Sequence, residues 1–449
     1  MMRKELDATI VSPTLHWKPY PAYKPSGIEW LGKIPEHWET RRLKRTVCKI
    51  RNGVWGDEPN GTNDIECVRV ADFDREKFLT RLDGLTLRSI APSDRRGRML
   101  HAGDLLIEKS GGGDQQPAGV VVSWVSEQPA VCSNFIARIK ITPEFDSRFL
   151  VYLHAHLYSR RVNARSIKQT TGIQNLDAEA YFNERAAFPG IDEQRAIAAF
   201  LDRETARIDA LIEKKRRQIE LLQEKRTALI SHAVTKGLDP NAKMKPSGIE
   251  WLGEIPADWK IQRIKYCAQL IMGQSPPSDE CNEDGRGLPF LQGCAEFGSV
   301  SPTPKQFCET PRKTVIASDI LISVRAPVGA LNIADQQYGI GRGLCAIRAS
   351  DPVIDRRYCW HLLEALRWQL DIVSSGSTYD AVSAEDVGNI RAIIPSILEQ
   401  RAIAAFLDRE TARIDALIGK IEKSIELLRE YRSALISAAV TGKIDVRDQ

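Results

Sequence analysis

Basic and hydrogen-bonding side chains are concentrated in two short stretches of the sequence, at 159–175 and 374–380, and each precedes a long predicted helix. Arginine, lysine, hydroxyl groups and the backbone amides around glycine are the groups that bind phosphates and fix a protein on DNA. Arginine, asparagine and glutamine can also read the edges of bases in the major groove. The composition of these stretches therefore favours contact with nucleic acid.

The candidates for this contact are polar or basic side chains, or glycines, in or near the two stretches and the predicted strand ends. In the first half of the chain they are Arg96, Arg98, Lys109, Ser110, Asn134, Arg161, Arg165, Lys168, Thr170, Thr171, Gly172, Gln174 and Asn175. In the second half they are Arg325, Arg342, Ser375, Gly376, Ser377, Thr378 and Tyr379. Any one of them can equally be a solvated surface group. It is the clustering, above all over 159–175, that favours binding.

No constellation of catalytic residues emerges. GGGDQQPAG at 111–119 lacks the G-x-x-x-x-G-K-[ST] spacing of a phosphate-binding loop. Asp104 with Glu108 and Lys109 suggests a nuclease centre, but Glu108 and Lys109 are adjacent and would point to opposite faces of a strand. Nine scattered cysteines without a C-x-x-C pair favour free thiols in a reducing compartment over a zinc site or disulfides. These observations favour a binding protein or a scaffold over an enzyme.

The sequence repeats itself in two separate segments. KPSGIEWLG at Lys24–Gly32 returns unchanged at Lys245–Gly253, 221 positions later (245 − 24). EQRAIAAFLDRETARIDALI at Glu193–Ile212 returns unchanged at Glu399–Ile418, 206 positions later (399 − 193). The chain is therefore a tandem duplication whose two bodies have diverged. We interpret the identical segments as a scaffold that meets one partner twice and the bodies as surfaces for different targets; a recent duplication with uneven divergence is the simpler alternative.

Each repeat ends in a long amphipathic segment. Apolar residues recur every 3.5 residues on average over 201–233 and again over 407–439, which is typical of a coiled-coil seam. Gly419 interrupts the second segment, and Gly237 and Gly442 stand where C-terminal caps belong. Because the two seams are nearly identical, we predict that the helices pair with each other as a freestanding antiparallel pair. Packing of each helix on its own body is the alternative.

Composition places the chain among ordinary globular proteins. Its 449 residues are 43% hydrophobic and 27% charged, which excludes a mainly disordered chain. The formal net charge of +4 neither requires nor excludes nucleic acid, because the position of charges matters more than their total. The N-terminus lacks the apolar core of a signal peptide, and no apolar run approaches transmembrane length. We therefore expect a soluble, cytoplasmic protein.

The order of these motifs resembles the DNA specificity subunit of type I restriction-modification systems. Four features carry the resemblance in each repeat: an I-P-x-x-W segment, a glycine-containing stretch, a dipeptide ending in proline and an E-Q-x-x-I helix start. They are Ile34–Trp38, Gly172–Leu176, Phe188-Pro189 and Glu193–Ile197 in the first repeat, and Ile255–Trp259, Gly376–Val382, Ile394-Pro395 and Glu399–Ile403 in the second. With the double body, the resemblance covers nearly the whole chain.

The resemblance implies an α+β fold class. Two mixed α/β target-recognition domains would stand in a pseudo-two-fold arrangement, separated by a pair of long antiparallel coiled-coil helices. The implied segments are an N-terminal extension at 1–23, recognition domain 1 at 24–191, spacer helix 1 at 192–237, recognition domain 2 at 238–397 and spacer helix 2 at 398–442.

The resemblance also implies a chain without catalytic activity or a cofactor of its own. Each recognition domain would bind one half of a bipartite double-stranded DNA target, and the helices would set the spacer between the halves. Two methyltransferase subunits using S-adenosylmethionine would methylate adenine in each half, and motor-nuclease restriction subunits using ATP and magnesium would cleave unmodified DNA. The expected docking residues for the methyltransferases are Glu193, Gln194, Ile197, Glu399, Gln400 and Ile403.

Two rival interpretations remain from the residues alone. One is a two-headed coiled-coil adaptor that reads protein partners, which predicts no salt-dependent affinity for DNA. The other is an enzyme in its own right, which predicts nuclease or methyl-transfer activity from the purified chain.

Overall fold

A computed structural model of the chain describes residues 17–113, 115–170, 173–277, 280–374 and 381–447. The chain forms two compact units, unit 1 made of Met1–Lys215 with Lys423–Gln449, and unit 2 made of Arg216–Glu422. Each unit therefore contains one body and a part of each long helix, rather than leaving the helices as a separate domain.

Unit 1 holds short strands and short helices around its body. The strands are β1 (Tyr23–Pro25), β2 (Lys33–Pro35), β3 (Glu39–Arg42), β4 (Val47–Asn52), β5 (Asp64–Val68), β6 (Phe73–Asp74), β7 (Leu79–Thr80), β8 (Thr86–Ser89), β9 (Leu105–Glu108), β10 (Ser110–Gly111), β11 (Val121–Ser123), β12 (Ala130–Cys132), β13 (Ile136–Ile141), β14 (Ile167–Thr170), β15 (Ile173–Leu176) and β16 (Arg185–Phe188). The helices are α1 (Pro92–Arg95), α2 (Ser147–Ser159) and α3 (Ala178–Asn183), and the long helix α4 (Ile191–Lys236) follows.

The body of unit 1 is built on a sheet in the order β4-β13-β9-β11-β7-β6. Every residue of β9 is buried, which explains why its sequence is a continuous apolar run ending in Glu108. The same unit contains two smaller sheets, in the orders β12-β5-β8 and β10-β15-β14. The strands predicted at 105–113 and 134–141 are thus confirmed, and they pair directly as β9 and β13, with Ile136 opposite Glu108.

Unit 2 repeats this plan with other strand lengths. Its strands are β17 (Met244–Pro246), β18 (Glu254–Pro256), β19 (Lys260–Arg263), β20 (Ala268–Met272), β21 (Cys281–Asn282), β22 (Leu288–Leu291), β23 (Gln306–Cys308), β24 (Thr314–Val315), β25 (Ile320–Ser323), β26 (Leu331–Ile333), β27 (Tyr338–Ile340), β28 (Leu344–Ala349) and β29 (Arg391–Ile394). Its helices are α5 (Arg356–Leu366), α6 (Trp368–Ser374) and α7 (Ala384–Gly388), and the long helix α8 (Ile397–Val440) follows.

The body of unit 2 contains sheets in the orders β20-β28-β25-β26 and β21-β23-β22-β27-β24. The strands predicted at 320–329 and 343–349 are confirmed as β25 and β28, which pair with Ser323 opposite Leu344. That pairing reproduces the pairing of Glu108 with Ile136 in unit 1. The two bodies therefore share a central strand pair although their sequences have diverged.

The long helices pair antiparallel, as the seam predicts. The first part of α4 lies with the last part of α8 in unit 1, and the reverse holds in unit 2. In unit 1, Arg432 Nε lies 2.9 Å from Asp209 Oδ1. In unit 2 the equivalent pair is Arg226 with Asp415, at 3.2 Å. Every predicted seam position is buried or half-buried, which confirms the coiled-coil periodicity.

The expectation of a freestanding helix pair is wrong at the helix ends. In unit 2, Val234 of α4 and Ile403 of α8 belong to the same buried cluster as Trp259 and Tyr358 of the body. Ile197 and Leu201 are likewise fully buried in unit 1. The apolar stripe therefore serves two purposes, because its ends complete the core of a body while its middle seals one helix against the other.

A strand that follows the first repeated segment pairs, in each unit, with a strand that precedes the second repeated segment. The segment that contains the I-P-x-x-W motif ends in β3, which pairs with β16, the strand that leads into α4. In unit 2, β19 pairs with β29 in the same register, and β29 leads into α8. The strand pair thus joins the chain that follows the first repeated segment to the chain that precedes the second, in the same way in both units.

No helix among the described residues combines the length and the apolar character that crossing a membrane requires.

Candidate nucleic-acid interface

A cavity of about 860 Å³ opens in the body of unit 1 beside the ends of β5, β9 and β12. Two predicted residues, Ser110 and Asn134, line it. The side chain of Asn134 is exposed and makes no hydrogen bond to another described residue. The remaining lining side chains include the cations Arg69 and Arg75, the aromatic rings of Trp55 and Phe135, and Glu108, Gln115 and Gln116. The cavity thus gathers donors, acceptors and flat apolar surfaces in one place.

Two carboxylates orient the two arginines of the cavity. Arg75 Nη2 donates to Glu108 Oε2 at 3.0 Å, and Arg69 Nη2 donates to Asp72 Oδ1 at 3.1 Å. The Asp72 carboxylate raises the pKa of Arg69, which is already fully charged at neutral pH. Burial raises the pKa of Glu108, and the neighbouring Arg75 charge opposes that rise. Each guanidinium is therefore held in a fixed direction before any ligand arrives.

A small sheet connects the cavity to the basic stretch at 159–175. Strand β10 pairs with β15, so that Ser110 faces Asn175 and its hydroxyl donates to Asn175 Oδ1 at 2.6 Å. Gln174 is buried, and its Oε1 accepts a hydrogen bond from the backbone N–H of Ala118. These contacts place Asn175 next to the cavity. The carboxamide oxygen of Gln174 is already bonded to the backbone of the same unit.

The basic residues of the same stretch lie on the surface in different states of pairing. Lys168 forms an ion pair with Asp177, 2.7 Å between Nζ and Oδ2, which raises the pKa of Lys168. Arg165 is exposed and has no ion pair or side-chain hydrogen bond to a described residue. Arg161 is exposed at the left-handed turn that follows α2, with a φ of 56°. Thr170 ends β14, whereas Thr171 and Gly172 lie outside the described residues.

Arg96 and Arg98 lie apart from the cavity, after α1. Arg98 donates to the backbone oxygens of Asn52 and Asp94, at 3.1 and 2.7 Å. Arg96 is exposed and makes no side-chain hydrogen bond to a described residue. Lys109 is half-buried and lies between β9 and β10, directly after the buried Glu108.

Unit 2 presents a different set of side chains on the same frame. Arg325 pairs in an isolated bridge with Ala381, at the position that corresponds to Ser110 opposite Asn175. Arg325 and Arg342 are both exposed, and neither side chain has an ion pair or hydrogen bond to a described residue. Ser375, Gly376, Ser377, Thr378 and Tyr379 lie outside the described residues.

Sequence reasoning did not identify Trp55, Arg69 or Arg75 as site residues. They lie in the segment between β4 and β7, which has no periodic pattern and contains isolated charges. The sequence suggested Glu108 only as part of a nuclease centre. Such a centre needs a metal, and no group of His, Cys, Asp and Glu suited to a metal occurs among the described residues. A charged residue at the end of an otherwise apolar strand was the one available signal, because such a residue needs a partner when buried.

The six predicted docking residues lie at the starts of α4 and α8 and make contacts within the chain. Gln194 is 1% exposed and Gln400 0% exposed. Gln194 donates to Pro189 O at 2.9 Å and accepts from the backbone N–H of Asp146 at 3.0 Å. Gln400 does the same with Pro395 O and Asp355 N, at 3.0 and 2.7 Å. Each glutamine thus joins a long helix to the N-cap of α2 or α5.

The other four docking candidates divide into two kinds. Ile197 and Ile403 are fully buried in their own units. Glu193 accepts hydrogen bonds from Tyr20 and Trp38, at 2.7 and 2.9 Å. Glu399 lies in the first turn of α8, and its backbone N–H donates to the hydroxyl oxygen of Ser396 at 3.3 Å. Their role in docking stays a prediction; what the structure adds is that they shape the helix start.

The fold and the cavity together define a duplicated protein that presents two different polar surfaces on one repeated scaffold. Residues 256–427 match the family described as "Type I restriction modification DNA specificity domain". The MjaX type I restriction enzyme specificity subunit of Methanocaldococcus jannaschii is 30% identical over 424 residues, which cover 93% of this chain and 96% of that protein. The MjaVIII specificity subunit of the same organism is 22% identical over 431 residues, covering 93% and 95%.

Solved structures support the same fold. A chain from a study of complex assembly and conformational transition of the type I R-M system matches with a TM-score of 0.72 and 24% identity, over 91% of this chain and 98% of that one. The HsdS subunit from Thermoanaerobacter tengcongensis matches with a TM-score of 0.54 and 23% identity, over 92% and 98%.

The chain belongs to the family of type I restriction enzyme specificity subunits. It is a DNA sequence-specificity subunit, the recognition component and not the catalytic one, and the adaptor interpretation is not favoured. Subunits of this family assemble with other restriction-modification subunits and bind DNA.

Proposed function

We propose that the bodies of units 1 and 2 each bind one half of a bipartite DNA target. The observation that carries this proposal is that equivalent positions beside the central strand pairs, β9–β13 and β25–β28, hold different side chains in the two units. Ser110 and Asn134 in unit 1 correspond to Arg325 and Arg342 in unit 2. Side chains with different hydrogen-bonding groups select different base edges, so two bodies of this kind would read two unlike half-sites.

The repeated scaffold supports the proposal of two equivalent partners. We propose that two methyltransferase subunits dock at the starts of α4 and α8 and supply S-adenosylmethionine for methylation of adenine. Arg195 and Arg401 are exposed there at equivalent positions, beside the buried glutamines that fix the helix start. Motor-nuclease restriction subunits would supply ATP and magnesium chemistry. None of these cofactors is assigned to this chain.

The long helices support a role as a spacer. At about 1.5 Å per residue, the 46 residues of α4 and the 44 residues of α8 are each roughly 65–70 Å long. Their middle parts pair antiparallel, so the two helices can fix the number of base pairs that lie unread between the two half-sites.

An electrophoretic shift on duplex DNA tests the proposal against the adaptor. The purified chain, with and without a co-expressed type I methyltransferase, should bind DNA that contains its target, with an affinity that falls as salt concentration rises. Nuclease or methyl-transfer activity should be absent from the chain alone. Absence of salt-dependent DNA binding in both preparations, together with capture of a protein ligand, would support the adaptor instead.

A further inference from the structure

Arg75 lines the cavity of unit 1, and two residues of the same body hold its guanidinium group. Its Nη2 donates to Glu108 Oε2 at 3.0 Å, and its Nη1 lies 3.5 Å from the hydroxyl of Tyr158. That hydroxyl is itself held, because it donates to Pro117 O at 2.9 Å. An arginine carries five N–H donors. Some N–H donors of Arg75 are therefore not used by these contacts. The side chain is 30% exposed and lines the cavity, so the remaining donors can contact a ligand.

Glu108 is an unusual residue to find at the end of β9. It is 0% exposed, and its Oε1 is buried without a hydrogen-bond partner among the described residues. A buried carboxylate that is only partly satisfied is unfavourable for the fold. Such a residue calls for an explanation other than packing.

The duplication supplies an internal comparison for Glu108. The corresponding position in unit 2 is Ser323, since both residues end the central strand and pair with equivalent partners. The Ser323 hydroxyl donates to Pro327 O at 2.5 Å and accepts from Ala330 N at 2.9 Å, so it is fully satisfied. The shared frame therefore does not need a carboxylate here. Glu108 serves something present in unit 1 alone, and among the described residues its one ionic partner is Arg75.

The cavity lining combines two guanidinium groups with two aromatic rings. Trp55 and Phe135 supply rings, Val70 and Ala71 supply apolar surface, and Arg69 stands as a second oriented guanidinium. A base that stays paired in the duplex presents only its edge in the major groove, where one guanidinium can donate to two acceptors of the same base. The direction in which Glu108 holds the guanidinium of Arg75 therefore favours contact with a base edge.

We propose that Arg75 selects a guanine in the half-site bound by unit 1, by donating hydrogen bonds to O6 and N7 of that base. A bidentate arginine–guanine contact is the commonest specific contact to a base. Arg75 is the specificity-determining residue, and Glu108 is a positioning residue that sets the direction of the guanidinium. The inference rests on the proposed function, because it names the residue that reads one base within one recognition domain.

The test starts from selection of duplexes out of a randomised DNA library by the wild-type chain, with its co-expressed methyltransferase. This selection should give a bipartite consensus. If no consensus emerges, the proposed function itself fails. If a consensus emerges, the inference is tested separately on variants, and the half-site bound by unit 2 serves as a control within the same molecule.

Arg75→Lys keeps the charge but removes the planar fork, so preference for one guanine in one half-site should fall by about tenfold. Replacing N7 of that guanine by carbon should weaken the wild type to a similar extent and have little further effect on Arg75→Lys. Glu108→Gln should reduce the same preference while affinity for non-specific DNA stays unchanged. The matched control is Arg138→Lys, since Arg138 pairs with the buried Asp104 at 2.6 Å outside the cavity lining; it should leave the preference intact.

Two results would overturn the inference. One is an unchanged guanine preference in Arg75→Lys, and the other is a uniform loss of affinity for all sequences, which indicates a phosphate contact. If Arg75→Lys does not fold, the double variant Arg75→Met/Glu108→Gln removes both charges of the buried pair together. It should fold and show the same loss of preference at the one guanine, and an intact preference in it would equally refute the role of Arg75.

Discussion

Gln194 and Gln400 show how a single side chain can hold each unit together. Each is buried at the start of a long helix and bridges the proline carbonyl before the helix to the backbone N–H of an aspartate. That aspartate caps the N-terminus of α2 or α5. The E-Q pair of the repeated motif is therefore explained at least in part by folding, before any partner is considered.

Gln194→Ala and Gln400→Ala should each lower the free energy of unfolding by about 1–3 kcal/mol. The physical reason is that each substitution leaves a buried carbonyl and a buried N–H without their partner. Chemical denaturation followed by circular dichroism measures the effect. The exposed helix residue Gln218 provides the control, and Gln218→Ala should change stability by no more than about 0.5 kcal/mol. Equal effects of all three substitutions would refute the role of the buried glutamines.

His154 and His156 predict that unit 1 loses stability in mild acid. Burial lowers the pKa of both histidines from 6.5 to about 4. Between pH 6.5 and 4 these histidines bind protons in the unfolded chain but stay neutral in the folded chain. The free energy of unfolding therefore falls as pH decreases through this range. Each histidine contributes about 1.4 kcal/mol per unit of pKa difference.

His156→Leu should make that pH dependence shallower. Its Nδ1 has no hydrogen-bond partner among the described residues, so the substitution removes a titrating group without breaking a bond of that atom. Denaturation at several pH values between 4 and 7 measures the slope. The exposed His232 is the control, and a slope in His156→Leu equal to those of the wild type and His232→Leu would contradict the prediction.

Two glycines at the long helix α8 have opposite expected effects. Gly419 lies within the helix with open space around an added Cβ, whereas Gly442 has a φ of +70° and an added Cβ there would lie 2.3 Å from Pro35 Cδ. Gly419→Ala should therefore raise the free energy of unfolding by up to about 1 kcal/mol, and Gly442→Ala should lower it. Thermal unfolding of the two variants gives the sign of each. Stabilisation by both substitutions would show that Gly442 does not serve as a cap.

The elements with regular patterns were predictable from the sequence. The 3.5-residue repeat predicts both long helices and their antiparallel pairing, and the apolar runs predict the central strands of each body. The freestanding pair was wrong because periodicity shows which face of a helix is buried and not what covers it. Ile403 is buried in one cluster with the body residues Trp259 and Tyr358, which cover the end of its helix.

The cavity of unit 1 was only partly predictable. Ser110 and Asn134 were identified from composition near strand ends, whereas Arg69 and Arg75 were not. The positions of Arg69 and Arg75 depend on loops that join short strands. These strands pair with partners far away in the sequence, as β5 does with β12. Arg75 and Glu108 are 33 positions apart. Nothing local in the sequence shows that they form an ion pair.

The molecule as a whole is one scaffold used twice with two bodies, and its length along the helices should determine the spacing of its target. Inserting one heptad into the middle of both α4 and α8 adds about 10 Å at 1.5 Å per residue. At about 3.4 Å per base pair, the unread spacer should lengthen by roughly three base pairs. Selection of bound duplexes from libraries with randomised spacer lengths measures this. An unchanged spacer would refute the role of the helices as a ruler.

The most direct test of the central claim, that each body reads one half of the target, is an exchange of one body. Residues 47–184 can be replaced by the corresponding part of another specificity subunit, because the scaffold pair β3–β16 lies outside this range. The methylated adenines of the resulting complex are then mapped by sequencing. The account predicts a new sequence in one half-site, with the other half-site and the spacer unchanged. A change in both half-sites, or in neither, would contradict it.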